Sequence, residues 1–385
     1  MNKKEPCPVY RKCGGCQLQN MDYPRQLSFK QNRCQKLLHE FGTVSPIIGM
    51  ENPYHYRNKV QTAFQRNRSG RMISGIYQSS TDRVVEVKQC QTEDLASQKV
   101  IKTVAQLLKD FKLTVYDAKS RRGFIRHVLL RRGFMTGELM VVLVTGTPVF
   151  TAKKHFTAAL LKAHPEITTI VQNIYQGGLP MILGSQEKLL YGPGYITDLL
   201  CGCRFRISAR SFYQINPRQT ALLYQTAMRL AELTPADRVL DAYCGIGTIG
   251  IVAAKQAGHV IGVESNHDAI KDAIVNAREN KLKNTWFQAG DAGECITQMA
   301  KAREPIDLLF LDPPRQGASS EFLSSLLQLA PARAVYISCN PESLQRDLRQ
   351  LTGRGRYTVK AMQPVDMFPF TNHVETVVLL TKRDS

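Results

Sequence analysis

Short apolar runs alternate with longer amphipathic stretches in the last part of the chain, from about residue 205. A helix predicted over Pro217–Leu233 leads into this part. Short strands separated by helices are typical of a doubly wound parallel sheet, which is an α/β fold. The predicted strands are Arg238–Asp241, His259–Glu264, Ile306–Leu311 and Ala334–Ser338.

The pattern divides the rest of the chain into two further segments. Residues 1–42 begin with clustered cysteines and continue as a helix predicted over Tyr23–Phe41. Residues 43–204 are predicted to form a mixed α and β domain, in which glycines mark the turns. A chain of 385 residues is long enough for these segments and for a domain over residues 205–385. The strands predicted in the middle segment are Val84–Val87, Phe124–Leu130 and Leu139–Val144.

The chain carries a net charge of +19, and most of it lies in the first half. Residues 1–204 contain 30 Lys and Arg against 14 Asp and Glu, whereas the remainder is nearly balanced. Positive charge concentrated in one region favours binding to a phosphate backbone, so we expect a nucleic acid as partner. No stretch approaches the roughly 20 apolar residues of a membrane span, and the polar N-terminus does not resemble a signal peptide. We therefore expect a cytoplasmic protein without a membrane partner.

Acidic residues follow the predicted strands of the last domain. Asp241 ends one strand before a Gly-x-Gly turn, and Glu264 ends the next strand, 23 residues later. Asp291 and Asp312 come at the ends of the two strands that follow. A carboxylate at this edge of the sheet can accept hydrogen bonds from both hydroxyls of a ribose. Four carboxylates would repel the pyrophosphate of a dinucleotide but suit the sulfonium cation of S-adenosylmethionine (SAM). We therefore expect SAM as the cofactor.

A cysteine, Cys339, follows the strand Ala334–Ser338 and faces the same crevice. Free cysteine is often simply buried, but a helix starting just after Cys339 could stabilise a thiolate through its dipole. A thiolate can add to C6 of uracil, which makes C5 nucleophilic towards a methyl sulfonium. A base must then remove the C5 proton. Asp366 and Glu375 are candidates, and we favour Glu375, which directly precedes a predicted strand.

Five segments resemble the bacterial RNA uracil-C5 methyltransferases, above all those acting on 23S ribosomal RNA. They are Ser211–Asn216, Asp241–Gly247, Asp312–Gly317, Ser338–Pro341 and His373–Glu375. The resemblance implies a Rossmann-like SAM-dependent methyltransferase domain that forms 5-methyluridine, with Cys339 as nucleophile and Glu375 as base. It also implies cofactor contacts from Gln214, Tyr243, Thr248, Glu264, Asp291 and Asp312.

Cysteines near the N-terminus have the spacing of a metal site. Cys7, Cys13 and Cys16 lie close together in sequence, and spacing alone leaves zinc and an iron–sulfur cluster open. The resemblance implies a [4Fe–4S] cluster with Cys90 as the fourth ligand. It also implies that residues 43–204 bind RNA, with positive groups holding phosphate and aromatic groups stacking on bases. The residues expected to contact RNA are Arg57, Asn58, Lys59, Arg126 and His127.

Other functions remain open at this point. A tRNA T-loop uracil methyltransferase would share the catalytic residues, but such enzymes lack the cysteine cluster, which favours 23S ribosomal RNA. An amino-group methyltransferase could use Asp312–Pro314, yet it leaves Cys339 without a role. A third possibility is a non-catalytic, metal-bearing RNA chaperone, for which Cys339→Ala would leave the biological effect of the protein intact. Many 23S enzymes begin with a β-barrel domain, for which Cys7 leaves no room, so the position of the modified uridine stays open. Because the base must leave its stack to reach Cys339, we expect a single-stranded or loop uridine.

Overall fold

The computed structural model describes residues 5–117, 119–177, 182–353 and 355–383. Two compact units are built from interleaved parts of the chain. The described residues up to Asn20, together with Pro53–Leu199 and Arg206–Arg210, form the first unit. Met21–Asn52, Leu200–Phe205 and the described residues from Ser211 onward form the second unit. The boundaries predicted at residues 42 and 204 do not coincide with these units, because the first 42 residues are divided between them.

A mixed sheet forms the centre of the first unit, with the order β3-β2-β1-β4-β5-β6-β7 among the described residues. Neighbouring strands are antiparallel except for β5 and β6, which run parallel. The three strands predicted in this region are present, with ends that differ by one or two residues. The elements are α1 (Tyr10–Cys13), β1 (Lys59–Arg66), β2 (Met72–Tyr77), β3 (Val84–Glu86), α3 (Leu95–Asp110), β4 (Ile125–Arg132), β5 (Leu139–Thr145), α4 (Lys153–Ala163), β6 (Ile167–Ile174) and β7 (Gln186–Tyr191), and α2 lies in the second unit.

The second unit contains a sheet with the order β12-β11-β10-β13-β14-β16-β15. The α/β fold predicted from the sequence is confirmed, but the sheet is mixed, because β16 runs antiparallel to both β14 and β15. A separate two-stranded sheet pairs β8 (Tyr195–Leu200) with β9 (Cys203–Ser208). The remaining elements are α2 (Tyr23–Leu38), α5 (Pro217–Ala231), β10 (Arg238–Ala242), α6 (Thr248–Ala253), β11 (His259–Glu264), α7 (His267–Glu279), β12 (Thr285–Ala289), α8 (Ala292–Ala302), β13 (Leu308–Leu311), α9 (Ser320–Leu329), β14 (Arg333–Ser338), α10 (Pro341–Gly353), β15 (Tyr357–Val365) and β16 (Glu375–Lys382).

The central strands of this sheet are buried along their length. All four residues of β13 and five of the six residues of β14 are buried, as expected for parallel strands covered by helices on both faces. Burial on both faces makes these strands rigid, and their carboxyl ends present the side chains that follow them at one edge of the sheet.

The helix α2 has an unusual buried face. It begins at the N-cap Asp22, whose side chain accepts from Arg25 N, and it ends in a single 3-10 turn over His39–Phe41. Its buried residues follow a spacing of four, so they form one stripe. Three of the four are polar or weakly polar rather than aliphatic: they are Gln26, Lys30 and Cys34, followed by Leu38. Across the described residues, no helix is both long and apolar enough to cross a membrane.

Candidate active site

A cavity of about 800 Å³ opens at the carboxyl ends of the parallel strands in the second unit. It lies where a doubly wound sheet binds its ligands. All the residues predicted from the sequence as catalytic or cofactor contacts line this cavity. They are Gln214, Tyr243, Thr248, Glu264, Asp291, Asp312, Cys339 and Glu375.

Backbone amides hold two of the acidic side chains in place. Glu264 accepts hydrogen bonds from Asn266 N at 2.8 Å and from Gly245 N at 3.2 Å. Asp291 is the N-cap of α8, and it accepts from the N–H groups of the next turn at 2.8 and 3.0 Å. Because these carboxylates are bonded to backbone, their positions are set before any ligand binds.

Two further carboxyl groups lie deeper at the same strand ends. Asp241 is fully buried, and one of its oxygens accepts from Gly250 N at 2.7 Å. Its other oxygen has no hydrogen-bond partner among the described residues. Burial, followed by the proximity of Asp312 and Glu264, raises the pKa of Asp241 to about 8. Burial also raises the pKa of Asp312 to about 7. A cationic ligand would satisfy this excess of acidic groups.

The glycine-containing turn after β10 approaches the cavity closely. Tyr243 has a φ of 64°, which is unusual for a residue with a side chain, and Gly245 and Gly247 also have positive φ values. A Cβ atom at Gly247 would lie 3.0 Å from the ring of Phe287, so only glycine fits there without a shift. The turn ends at Thr248, whose hydroxyl lies 2.9 Å from that of Tyr224.

Cys339 and Glu375 lie at adjoining ends of two paired strands. In the antiparallel pair of β14 and β16, Ser338 is opposite Thr376. The next positions in this register are therefore Cys339 and Glu375. Glu375 is 3% exposed. Burial, with a further contribution from Asp312, raises its pKa well above the usual value.

The Cys339 thiol is not activated in the way its position suggested. The helix α10 does begin shortly after it, at Pro341. Nevertheless, burial and the nearby carboxyl groups of Glu375 and Asp312 raise the pKa of Cys339 to about 12. Desolvation and the neighbouring carboxyl groups therefore disfavour the thiolate form of Cys339.

Arg315 is the basic side chain that acts on both groups. Its charge lowers the pKa of Cys339 and of Glu375, although burial outweighs it at each. Its Nη2 lies 2.6 Å from His373 Nδ1. Burial and the charge of Arg315 lower the pKa of His373 to about 4, so His373 is a neutral acceptor at neutral pH. Sequence reasoning gave neither residue a role, although both lie within the segments that carry the family resemblance.

Phe212 is a third cavity residue that sequence reasoning missed. Its side chain is 66% exposed, and it lines the same cavity as Cys339. A large exposed aromatic side chain beside a reactive group suits stacking on a base. The sequence signal was its position two residues before Gln214 within a family segment.

The four cysteines predicted as metal ligands lie in the first unit. Cys90, Cys13 and Cys7 each help to raise the pKa of Cys16, after burial, so the four thiols are near one another. However, within the part of the chain that the structure describes, no group of three or more His, Cys, Asp or Glu side chains has the geometry to hold a metal ion. The proximity of the four thiols therefore supports the predicted [4Fe–4S] site, but the described residues do not show the geometry of a bound metal.

The residues predicted to contact RNA differ in exposure. Arg57 and Lys59 are half-buried, and burial with two neighbouring arginines lowers the pKa of Lys59 to about 8. Asn58, Arg126 and His127 are buried. Arg126 lies between two tyrosine rings, with centroids at 4.6 and 4.8 Å, and His127 lies 3.0 Å from a tyrosine hydroxyl. RNA contact at these three positions would require the side chains to move.

Comparison with known proteins identifies the family of the whole chain. The family model described as tRNA (Uracil-5-)-methyltransferase matches residues 22–383. The chain is 44% identical over 380 residues to an uncharacterised RNA methyltransferase of Halalkalibacterium halodurans, covering 97% of this chain and 82% of that protein. It is 42% identical over 379 residues to an uncharacterised RNA methyltransferase of Listeria monocytogenes, with 97% and 83% covered.

A solved structure is also similar over most of both chains. It is the tRNA (uracil-54, C5)-methyltransferase of Pyrococcus abyssi in complex with S-adenosyl-L-homocysteine. The TM-score is 0.80 at 26% sequence identity, with 99% of this chain and 88% of that chain covered. The family model covers most of the chain, and the two relatives are more than 40% identical to it over almost its full length. The chain therefore belongs to the tRNA (uracil-5-)-methyltransferase family.

Proposed function

We propose that this protein uses SAM to methylate C5 of a uridine in RNA, through a covalent bond between Cys339 and C6 of the base. The observation that carries the proposal is that Cys339 and Glu375, which adjoin the paired residues Ser338 and Thr376, line the same cavity as Glu264, Asp291 and Asp312. A nucleophile and a buried base on neighbouring strands suit a reaction that adds a thiolate and later removes a proton.

The acidic walls suit the methyl donor. Glu264 would accept from the ribose hydroxyls, and Asp291 would meet the adenine end; backbone amides hold both carboxylates. Asp312, Gln214, Tyr243 and Thr248 complete the contacts that we assign to the donor. Bound SAM supplies an electrophilic methyl group on a sulfonium, and its positive charge offsets the raised pKa values of Asp241 and Asp312.

Cys339 starts the reaction on the base. As a thiolate it donates an electron pair to C6 of uracil, so that an S–C6 bond forms and the negative charge spreads to C5 and O4. Arg315 is the cation that faces this thiol, and its charge opposes the carboxyl groups that raise the thiol pKa. C5 then forms a bond to the methyl group as the methyl–sulfur bond breaks.

Glu375 completes the reaction. As a carboxylate it accepts the proton from C5, and the electrons of the C–H bond restore the C5–C6 double bond while Cys339 leaves as a thiolate. The products are 5-methyluridine, S-adenosylhomocysteine and one proton. Burial raises the pKa of Glu375, which makes its carboxylate a stronger base than an exposed glutamate would be.

The four N-terminal cysteines form the second part of the proposal. We assign Cys7, Cys13, Cys16 and Cys90 as ligands of a [4Fe–4S] cluster, on the basis of their spacing and their mutual proximity. The donor set of four thiols fits such a cluster, and zinc is the alternative that metal analysis distinguishes. The Cys90 segment is braced by Gln98, which accepts from Cys90 N and donates to Cys90 O. The cluster would hold the RNA-binding residues 43–204, including Arg57 and Lys59, against the N-terminal segment.

The substrate that we propose is a loop or single-stranded uridine of 23S ribosomal RNA in the cytoplasm. The cysteine spacing supports it, whereas the Pyrococcus abyssi structure, a tRNA enzyme, favours a tRNA T-loop uridine as the second candidate. Mass-spectrometric mapping of 23S ribosomal RNA and tRNA from cells with and without the gene tests both. We expect a 5-methyluridine in 23S ribosomal RNA to disappear. Loss of the modification in tRNA alone would establish the second candidate.

A further inference from the structure

The loop that leads to Glu375 is held along its backbone by side chains. Residues 366–374 join β15 to β16, and Val365 is paired with Glu375 at the base of this hairpin. Two side chains at the start of α5 bond the first carbonyls of the loop. Gln219 Nε2 donates to Asp366 O at 3.0 Å, and Asn216 Nδ2 donates to Met367 O at 2.9 Å.

The helix α2 bonds the rest of the loop, although it comes more than 300 residues earlier in the chain. Lys30 Nζ donates to Phe368 O at 3.0 Å. Gln26 Oε1 accepts from Phe370 N at 2.8 Å. On the next turn, Arg33 Nη1 donates to Asn372 O at 2.8 Å. Residues on one face of α2 therefore hold every second residue of the loop.

A buried ion pair anchors this arrangement. Lys30 Nζ lies 2.5 Å from Asp366 Oδ1, and both side chains are 0% exposed. The other carboxylate oxygen accepts from the Tyr23 hydroxyl at 2.8 Å. Burial lowers the pKa of Lys30, and the charge of Asp366 opposes that effect. An aliphatic side chain at position 30 would pack in the buried stripe of α2 at a lower desolvation cost. Packing alone therefore does not explain a lysine there.

The loop carries side chains of the cavity. Phe368, His373 and Glu375 all line it together with Cys339. We propose that Lys30, assisted by Gln26, is a positioning residue that holds this loop so that the Glu375 carboxylate reaches the C5 proton. The inference rests on the proposed function, and it assigns the proton-removal step, rather than methyl transfer, as the step that α2 controls.

The test separates those two steps in the full-length protein. The variants are Lys30→Met, which keeps the length of the side chain, and Gln26→Met, which leaves no charge unpaired. Gln31→Met is the matched control, because Gln31 lies on the same helix but bonds Ser45 and Ile47 rather than the loop. Lys30→Arg tests rescue by a retained cation.

The probes are in vitro transcripts of 23S ribosomal RNA and of tRNA that contain [5-³H]uridine, with methyl-¹⁴C-labelled SAM. Single-turnover ¹⁴C incorporation reports methyl transfer, and tritium release reports proton removal. Denaturing gels report the covalent protein–RNA adduct. Circular dichroism and thermal unfolding show whether each variant is folded.

We expect Lys30→Met to incorporate methyl at nearly the wild-type rate but to release tritium more slowly, on the order of 100-fold, because the base is misplaced. The adduct should accumulate. Gln26→Met should show a smaller effect of the same kind, Lys30→Arg should recover part of the release rate, and Gln31→Met should match the wild type.

Two results would overturn the positioning role. One is tritium release at the wild-type rate in folded Lys30→Met and Gln26→Met. The other is a parallel loss of both steps that follows the unfolding temperature, with no adduct. A wild-type protein that methylates neither transcript would instead remove the proposed function itself, so the two failures are distinguishable.

Discussion

Cys339 and Glu375 adjoin Ser338 and Thr376, the last opposed residues in the pairing of β14 with β16. Opposed residues of an antiparallel pair have Cα atoms about 4.5 to 5.5 Å apart. The proposed nucleophile and the proposed base therefore lie close together, beside the last pair of these two strands.

Replacing Cys339 should abolish the reaction without abolishing binding. Without the thiol no adduct at C6 can form, so Cys339→Ala should lower methyl transfer by on the order of 10⁴-fold or more. Filter binding should show RNA affinity close to that of the wild type. Cys201→Ser is the control, since this half-buried cysteine is not among the cavity residues. Residual methylation by Cys339→Ala at more than a few per cent would contradict its role.

Removing the base should trap the intermediate. In Glu375→Gln the thiolate can still add and the methyl group can still transfer, but the C5 proton remains. We expect a methylated protein–RNA adduct that survives denaturing electrophoresis, with turnover reduced by about 10² to 10⁴-fold. Glu321→Gln, an exposed change on α9, should behave as the wild type. A Glu375→Gln enzyme that turns over normally and forms no adduct would assign the base elsewhere.

Binding of the methyl donor should depend on pH. The pKa of Asp312, in the cavity wall, is about 7 and that of Asp241, buried behind it at the end of β10, is about 8, so the free site gains negative charge as the pH rises from about 6 to about 9. A sulfonium cation prefers the ionised form, and affinity for SAM should rise over this window by up to about tenfold per pH unit for each proton released. S-adenosylhomocysteine, whose sulfur is neutral, should show a weaker dependence.

Calorimetry in buffers of different ionisation enthalpy measures that dependence and the protons released. Asp312→Asn removes one of the two titrating groups, so its curve for SAM should be flatter than that of the wild type. Equal pH dependence for SAM and S-adenosylhomocysteine would show that these carboxyl groups do not sense the sulfonium charge.

The cysteine proposal predicts a metal content. Protein purified without oxygen should contain about four iron and four sulfide per chain, as a [4Fe–4S] cluster requires. Cys90→Ser should lose most of the iron, whereas Cys34→Ser should retain it, because Cys34 is buried in the second unit beside Thr376. If the protein instead contained one zinc per chain and no sulfide, the four cysteines would be ligands of a structural zinc site and the cluster proposal would be wrong.

Local patterns predicted much of the second unit. The strand ends at Glu264 and Ser338 coincide with the observed ends, because buried strands followed by polar turn residues leave a clear signal. The helix predicted over Tyr23–Phe41 is present as α2 with its terminal 3-10 turn. The reversed direction of β16 was not predicted, since the direction of a strand depends on pairing and not on its own composition.

Contacts between residues far apart in the chain could not be predicted from the sequence pattern. Lys30 carries no local sign that it is fully buried, because a lysine on a helix is ordinarily solvated. Its partner Asp366 was considered only as a candidate base, whereas the structure places it in an ion pair with Lys30. The raised pKa of Cys339 likewise depends on Glu375 and Asp312, which only the fold brings to it.

The division of the second unit along the chain has a consequence for synthesis and for truncation. Helix α2 leaves the ribosome more than 300 residues before the hairpin loop that contains Asp366. The unit can therefore complete its folding only after that loop has been synthesised and has emerged. A fragment that starts at residue 205 would keep every motif of the catalytic family but would expose a carboxylate and a row of backbone groups that α2 normally covers. Such a fragment should therefore fold less stably than the full chain, although it contains all the motifs.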